Sequence, residues 1–467
     1  MVFNKSAKPV RSADKIVEVL SAQGVEYVFG VPGAKIDAVY DALADAGPRL
    51  VVCRHEQNAA FMAAAVGRLT GVPGVVLVTS GPGTANLATG LLTANTEQDP
   101  VVALCGAVRR EDRLKRTHQS MDAAALLKTV TKFTGEINDP DNAAEATVAA
   151  FRAALSAPRG AAAVVLPADV LAAPTTAGIT DRLPVPPLAA APAFAIERAC
   201  ELIRGAHRPA LLVGSRGADP ESCLALRALV ATTGLPVVET FQAAGVVSRN
   251  LEDYFLGRVG LFRNQPGDVV LGQADVLIAV GYDTVEYDPV LWNGDVARTV
   301  VHIDSVPADI DNHYQPTCEL IGNVAATLGS LSDKLADLTL TDGYRSQIAG
   351  QRKALRDIDA AARDHTPEGP GLDPAAVVLR LREELGHDDQ ATITCDIGSV
   401  YIYMARHFRV YQPRRCCSPT ANKPWASPCP GRWPPAWCAP APRWSPYPAT
   451  ADFCSPRRNS RRLPAWA

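Results

Sequence analysis

The chain has 467 residues and a formal net charge of −3, and 47% of its residues are hydrophobic and 20% charged, a composition typical of a soluble enzyme. No apolar run approaches the roughly 20 residues that a helix needs to cross a bilayer, and residues 1–15 lack the apolar core of a signal peptide, so we expect a cytoplasmic protein without a membrane partner. The length leaves room for roughly three domains of ordinary size.

The last 52 residues, 416–467, differ in composition from the rest, because they hold 12 of the 37 prolines, 5 of the 11 cysteines and 5 of the 6 tryptophans. The remaining residues, 1–415, carry 39 basic and 48 acidic side chains. Such an acidic body gives no support to nucleic-acid binding. Its cysteines lack C-x-x-C spacing, and we interpret them as reduced core thiols: Cys53, Cys105, Cys200, Cys223, Cys318 and Cys395.

The first part of the chain alternates helical and strand patterns. Residues 12–23 have apolar side chains at helical spacing and are followed by Gly24, whereas 25–31 form an apolar run of strand length. Repetition of this unit predicts a parallel, doubly wound α/β sheet. The other predicted elements are a helix that begins near Asp37, strands at 50–53, 75–80, 101–105 and 161–166, and helices at 59–68 and 87–94.

Residues 54–61, with the sequence RHEQNAAF, connect a predicted strand to a predicted helix. Glu56 would lie at this junction, where side chains of a doubly wound sheet can face a cleft. The helix that follows is almost uncharged, which favours a poorly solvated carboxyl group. The structural alternative is that Glu56 caps the first helical turn or pairs with Arg54 or Arg68.

The strand at 75–80 is followed by GPGTAN at 81–86. Small residues let a ligand approach the backbone closely, and the start of a helix offers free N–H groups, although this segment alone could be a tight turn. Pro32-Gly33, Glu56 and residues 81–86 all follow predicted strands. Because loops at the carboxyl ends of parallel strands build the site in such sheets, we interpret the three segments as one site.

Residues 108–122 are polar and end in HQSMD, which is compatible with a solvated loop whose Ser120 or Asp122 caps a helix. Residues 171–192, rich in Ala, Pro and Thr, predict a linker. A second α/β unit follows. Its predicted helices are 194–203 and 220–234, its strands are 210–214, 235–239, 276–280 and 300–304, and its loops are 241–246, 257–268 and 281–287.

Asp304, at the end of a strand, invites the interpretation of a nucleotide-ribose contact, but no G-x-G-x-x-G precedes it. A charged helix is predicted at 342–363. A third unit then begins with a helix at 374–385 and a strand at 391–396.

The pairing of RHEQNAAF with GPGTAN, one βα unit apart, resembles the N-terminal domain of thiamine-diphosphate enzymes of the acetohydroxyacid synthase and pyruvate oxidase type. PGAKID, QSMD, FQAAG and GRVGLF together are similar to the catabolic, FAD-independent acetolactate synthases. The resemblance covers about residues 1–412. It implies three successive doubly wound parallel-sheet domains: a pyrimidine-binding domain at 1–175, a linker at 176–192, a central domain at 193–340, and the start of a diphosphate-binding domain at 365–415.

The resemblance implies the decarboxylative condensation of two pyruvates to 2-acetolactate and CO₂, with thiamine diphosphate and Mg²⁺ but no FAD, in a homodimer or homotetramer. Glu56 would contact the aminopyrimidine ring, Gln119 and His118 would face the substrate, and Lys35 would pair with pyruvate unless it is a surface lysine. The residues that would surround the cofactor are Pro32, Gly33, Glu56, Thr79, Gly81, Pro82, Gly83 and Asn86.

The composition of residues 416–467 indicates GC-rich coding DNA translated in a shifted frame. If codons are formed from the third base of one residue and the first two bases of the next, residues 419–426 can encode NGQQTLG and 448–455 can encode GDGGFLF. The resembled family carries these motifs in this order, and the second begins its Mg²⁺–diphosphate motif. We therefore expect a frame shift near residue 414, no metal ligands in this chain and an inactive product. The alternative is a genuine proline-rich disordered tail.

Three other functions stay open. A different thiamine-diphosphate enzyme, such as a 2-oxoacid decarboxylase or oxidase, would share the fold. A dinucleotide-dependent dehydrogenase would need a glycine-rich fingerprint that the sequence lacks. A non-catalytic binding protein is compatible with an incomplete third domain.

Overall fold

The computed structural model describes residues 10–182, 185–260, 264–294, 298–367, 369–396 and 398–417. The hypothesis of a frame-shifted tail concerns residues 416–467. Of these, residues 418–467 lie outside the described residues. Leu261 and Phe262 of the GRVGLF motif lie outside it as well.

The N-terminal part consists of alternating strands and helices. They are β1 (Val10–Arg11), α1 (Ser12–Ala22), β2 (Tyr27–Val31), α2 (Asp37–Asp45), β3 (Arg49–Val52), α3 (Glu56–Thr70), β4 (Gly74–Val78), α4 (Pro82–Thr96), β5 (Val101–Ala107), α5 (Ala123–Lys128), β6 (Phe133–Glu136), α6 (Ala143–Leu155), β7 (Ala161–Pro167), α7 (Ala168–Ala172) and β8 (Pro174–Thr175). Two short 3₁₀ helices span Arg110–Asp112 and Pro140–Asn142.

The middle part repeats this alternation. It contains α8 (Ala193–Arg204), β9 (Pro209–Val213), α9 (Pro220–Thr233), β10 (Val237–Thr240), β11 (Phe255–Val259), α10 (Pro266–Gln273), β12 (Val276–Val280), α11 (Val290–Asn293), β13 (Thr299–Asp304), β14 (Cys318–Ile321) and α12 (Val324–Lys334). Two 3₁₀ helices span Ser215–Gly217 and Arg249–Tyr254. The last described elements are α13 (Asp342–Asp364), α14 (Pro374–Glu384), β15 (Ile393–Thr394), α15 (Ser399–His407) and β16 (Cys416–Cys417).

The N-terminal sheet has the strand order β3-β2-β4-β5-β7-β6, and all its pairings are parallel. Its central strand β4 is covered on both faces, because Val75, Val76, Leu77 and Val78 are each 0% exposed. The strand order reverses between β2 and β4. In open α/β sheets ligands bind at the carboxyl ends of the strands beside such a reversal, which here are Val31 and Val78.

The middle sheet has the order β11-β10-β9-β12-β13-β14 and is also entirely parallel. Its order reverses between β9 and β12. The two six-stranded parallel sheets confirm the predicted doubly wound α/β class. The prediction of a loop over residues 257–268 is wrong at both ends, because β11 continues to Val259 and α10 begins at Pro266.

The elements after α12 pack on the middle part. The guanidinium group of Arg258, in β11, donates to the carbonyl oxygens of Ala405 (3.2 Å) and Phe408 (2.6 Å). Asp359, in α13, accepts from His407 (2.9 Å) and Arg409 (2.8 Å). These buried polar contacts fasten α15 and the residues after it to the middle sheet and to α13.

The strand predicted at 391–396 is shorter in the structure and spans Ile393–Thr394. It pairs in parallel with Cys416–Cys417. The six cysteines interpreted as core thiols are all buried. No helix in the described part of the chain is long and apolar enough to cross a membrane.

Candidate cofactor and active site

The site predicted from the sequence lies at the reversal of the N-terminal sheet. Residues 32–36 follow β2, Glu56 follows β3, and residues 79–83 follow β4. Because β2 lies between β3 and β4, the three segments emerge at one edge of the sheet. The turn after β2 rests on the end of β4: the Lys35 N–H lies 3.4 Å from Thr79 Oγ1, and a Cβ atom on Gly33 would lie 2.6 Å from Thr79 Cβ.

Glu56 is the first residue of α3, and its carboxylate accepts a hydrogen bond from the side-chain amide of Asn86 in α4 at 2.9 Å. Among the described residues, Glu56 neither caps the first turn of α3 nor pairs with Arg54 or Arg68. The N-cap of α3 is His55, whose Nδ1 accepts from the Gln57 N–H, and the Arg68 guanidinium group binds Glu97 and Asp99 at 2.7 Å each. Glu56 is therefore held by a second helix that also begins at this edge.

The segment 81–83 forms a cradle between Glu56 and Thr79. A Cβ atom on Gly83 would lie 2.9 Å from Thr79 Cγ2 and 3.5 Å from Glu56 Oε1, so a larger residue would fill the space beside the carboxylate. Pro82 occupies the first position of α4, where its missing N–H costs nothing. Gly81 has a φ of 63°, a conformation that glycine adopts without steric cost.

Gln119 lies against this cradle. A Cβ atom on Gly81 would lie 2.9 Å from the carbonyl oxygen of Gln119. Gln119 itself has a φ of 62°, and a non-glycine residue in this region is uncommon and occurs mostly where the surrounding structure imposes it. The helix cap considered for this loop is also present, because Asp122 accepts from the Ala125 N–H at 2.9 Å.

Two of the predicted catalytic side chains make no polar contact in this structure. Within the described residues, neither the amino group of Lys35 nor the ring of His118 forms a hydrogen bond or an ion pair. Lys35 is half-buried and His118 is exposed. Pro32 is exposed. The structure thus brings together Gly33, Glu56, Thr79, Gly81, Gly83, Asn86 and Gln119.

Ser80 was not among the predicted site residues. Its hydroxyl oxygen is buried and has no hydrogen-bond partner among the described residues, directly between Thr79 and Gly81. Buried polar groups in native proteins are nearly always paired, so an unpaired hydroxyl beside a cradle of glycines fits a site built for a bound group. Ser80 could have been identified from the sequence, because it ends a predicted buried strand and precedes a glycine.

The chain is similar to proteins of known families. Two family profiles match it: "Thiamine pyrophosphate enzyme, N-terminal TPP binding domain" over residues 10–126 and "Thiamine pyrophosphate enzyme, central domain" over residues 196–331. "Acetolactate synthase" of Bacillus subtilis (strain 168) is 49% identical over 409 residues, which cover 88% of this chain and 71% of the relative. The chain belongs to this family of thiamine pyrophosphate enzymes.

Other members of the family agree with this assignment. "Acetolactate synthase, catabolic" of Raoultella terrigena is 42% identical over 403 residues, which cover 86% of this chain and 71% of the relative. "Acetolactate synthase isozyme 2 large subunit" of Escherichia coli (strain K12) is 29% identical over 412 residues, 86% of this chain and 71% of the relative. The sheet edge at which Glu56 lies therefore belongs to the thiamine pyrophosphate binding domain of the family. The middle sheet belongs to the central domain of the family.

Proposed function

We propose that the chain represents an acetolactate synthase that joins two pyruvates to 2-acetolactate and CO₂ with thiamine diphosphate and Mg²⁺. The observation that supports this most directly is the contact of Glu56 with Asn86 beside the glycine cradle, at the sheet reversal of the thiamine pyrophosphate binding domain. The relatives named acetolactate synthase supply the choice of reaction.

The residues present fit the pyrimidine end of the cofactor. Glu56 keeps one carboxylate oxygen on Asn86, and its other oxygen, Oε1, faces the space above Gly83. Ser80, in the segment that follows β4, contributes a buried hydroxyl that has no partner among the described residues. When bound, thiamine diphosphate supplies a carbanion and an electron sink for 2-oxoacid chemistry.

In this proposal Glu56 holds or moves a proton at the aminopyrimidine ring, and Asn86 orients its carboxylate. Gln119 contacts the substrate from the loop that closes over Gly81. Lys35 pairs with the pyruvate carboxylate, and His118 faces the substrate from the same loop as Gln119. Pro32, Gly33 and Pro82 shape the walls, because they fix the turns that approach the cofactor.

Mg²⁺ and the diphosphate would need a second set of ligands. In the described part of the chain no group of three or more His, Cys, Asp or Glu side chains could hold a metal ion. Oxygen ligands from acids and amides are what Mg²⁺ requires. We propose that the frame shift near residue 414 removed these ligands from the chain, since the shifted frame of residues 448–455 can encode GDGGFLF.

We also propose that the synthase works without FAD. A nucleotide would enter the middle sheet at its own reversal, beside the ends of β9 and β12. The Glu286 carboxylate occupies this crevice and accepts from the Ser215 N–H (3.0 Å), the Ser215 hydroxyl (3.0 Å) and the Thr240 hydroxyl (2.6 Å). Donors that could bind a phosphate are therefore already used.

The acid considered as a ribose contact, Asp304, is also already bound by protein groups. Asp304, at the end of β13, is fully buried and bound to Arg216 at 2.7 Å, and Arg216 also binds Asp283 at 2.7 Å. An acid that is buried in an ion pair cannot accept from ribose hydroxyls.

We further propose a homodimer or homotetramer in the cytoplasm, acting on pyruvate.

The test compares the 467-residue chain with a version in which the reading frame is restored near codon 414. With pyruvate, thiamine diphosphate and Mg²⁺, the restored enzyme should form acetolactate, show no flavin absorbance and need no added FAD. The 467-residue chain should form none, and calorimetry should detect no micromolar binding of thiamine diphosphate. Acetaldehyde or acetyl phosphate as the product would assign a decarboxylase or oxidase instead, and acetolactate from the unrepaired chain would refute the frame-shift proposal.

A further inference from the structure

The ends of α3 and α4 far from the cradle meet the middle part of the chain in a polar cluster. Arg68, in the last turn of α3, binds Glu97, directly after α4, at 2.7 Å, and Asp99 at 2.7 Å. The side chain of Glu97 is only 1% exposed and that of Arg68 16%. The two helices are thus tied to each other at their C-terminal ends by a nearly buried ion pair.

Gln242, in the loop after β10, joins this pair from the middle part. Its amide oxygen accepts from Arg68 Nη1 at 3.0 Å, and its amide nitrogen donates to Glu97 Oε2. A neutral amide can do both because it carries a donor and an acceptor at the same end of the side chain. The next residue back, Phe241, is 4% exposed and packs edge-on against Tyr401, so the loop that carries Gln242 is itself fixed.

The same two helices carry Glu56 and Asn86 near their other ends. α3 and α4 pack side by side, and Glu56 and Arg68 are separated along α3 by about 18 Å at 1.5 Å per residue. The two helices are therefore joined by polar contacts, here called ties, at two places. One tie is the Glu56–Asn86 hydrogen bond at the cradle, and the other is the Arg68–Glu97 ion pair at Gln242. Any slide or rotation of α3 against α4 that breaks one tie displaces the other, because a helix moves as a rigid element.

We propose that Gln242 is a positioning residue for the site: it holds the Arg68–Glu97 tie and thereby keeps the Glu56 carboxylate in register with Asn86. This rests on the proposed function only for the role of Glu56, because the geometry concerns the chain without cofactor. The middle part, which we propose holds no nucleotide, would in this way still determine how precisely the pyrimidine end of the site is formed.

The experiment follows the side-chain amide of Asn86 by NMR in the full chain labelled with ¹⁵N-asparagine. Glu56→Ala gives the reference position of this resonance without its acceptor, and its disappearance in Asn86→Ala assigns it. Gln242→Ala should shift the Asn86 resonance most of the way to that reference and speed its exchange with water. Gln242→Met, which removes both hydrogen bonds but keeps the length of the side chain, should do the same and serves if the alanine variant does not fold.

The matched control is Gln98→Asn. Gln98 also connects the two parts of the chain, because its side-chain amide donates to Asp283 at 3.4 Å. Within the described residues it forms no hydrogen bond with Arg68 or Gln242, and asparagine tolerates its φ of 58°. The control should leave the Asn86 resonance in place, whatever it does to the melting temperature. A Gln242 variant that loses thermal stability while its Asn86 resonance stays at the wild-type position would overturn the proposal and leave Gln242 a structural residue. Because no cofactor or turnover enters the measurement, its outcome is independent of the proposed reaction.

Discussion

Replacing Glu286 by glutamine tests the carboxylate that fills the crevice of the middle sheet. Burial raises the pKa of Glu286 from its ordinary value of 4.5 to about 7, although hydrogen bonds from Thr240 and Ser215 oppose the rise. The folded protein therefore binds more protons than the unfolded chain between these two values. The stability gained from this proton is fully present below about pH 4.5 and is lost as the pH rises through about 7.

The magnitude follows from the width of that interval. At about 1.36 kcal/mol for each pH unit, the loss between the two pKa values amounts to about 3 kcal/mol. Glutamine has nearly the same shape and no charge at any pH. Relative to the wild-type chain, Glu286→Gln should thus become more stable by about 3 kcal/mol as the pH rises from 4.5 to 8.

Urea unfolding of both proteins at several pH values measures this difference in the free energy of unfolding. Glu201→Gln is the control, because this glutamate is exposed on α8 and pairs with Arg198 at the surface. Its difference from the wild type should stay nearly constant. A Glu286→Gln difference as flat as that of the control would refute the argument that the crevice holds a buried, desolvated carboxylate.

Two further predictions concern the site and the attachment of α15. In the frame-restored enzyme, Glu56→Gln should lower the turnover of pyruvate to acetolactate by a general acid–base factor of roughly 10² to 10⁴, and near-normal turnover would remove Glu56 from its proposed role. Arg258→Met should lower the free energy of unfolding by about 3–5 kcal/mol, because it leaves the buried Glu239 carboxylate without its partner at 2.7 Å. That loss should grow as the pH rises, because burial raises the pKa of Glu239 and the carboxylate needs its partner only when it is ionised. A loss below about 1 kcal/mol in urea unfolding would contradict this prediction.

The sequence predicted those parts of the fold in which burial alone selects the residues. Val75–Val78 are apolar because both faces of β4 are covered, and this pattern needs no knowledge of neighbours. The strand β11 was not predicted, because its sequence FLGRV contains a charged residue and a glycine. The strand tolerates Arg258 because its guanidinium group donates hydrogen bonds to Glu239, on the adjacent strand. It also donates to two carbonyl groups of a segment distant in sequence. Such compensation depends on tertiary contacts that periodicity does not contain.

The candidate site shows the same division. Glu56 and the glycines at 81 and 83 could be located from the sequence, because loops at the carboxyl ends of parallel strands converge. The partnership of Glu56 with Asn86 could not, because it depends on how α3 and α4 pack. The roles of Lys35 and His118 stay predictions.

The loop after β10 has a practical consequence for recombining relatives of this protein. Phe241 contacts Tyr401, with ring centroids 4.5 Å apart, Gln242 contacts Arg68, and a Cβ atom on Gly245 would lie 2.2 Å from the carbonyl oxygen of Gln412. Five consecutive residues therefore touch all three parts of the chain. A chimera whose crossovers fall in the linker and after α12 would inherit this loop from one parent and its partners from the other. Chimeras that transfer the loop together with both sets of partners should be the ones that fold.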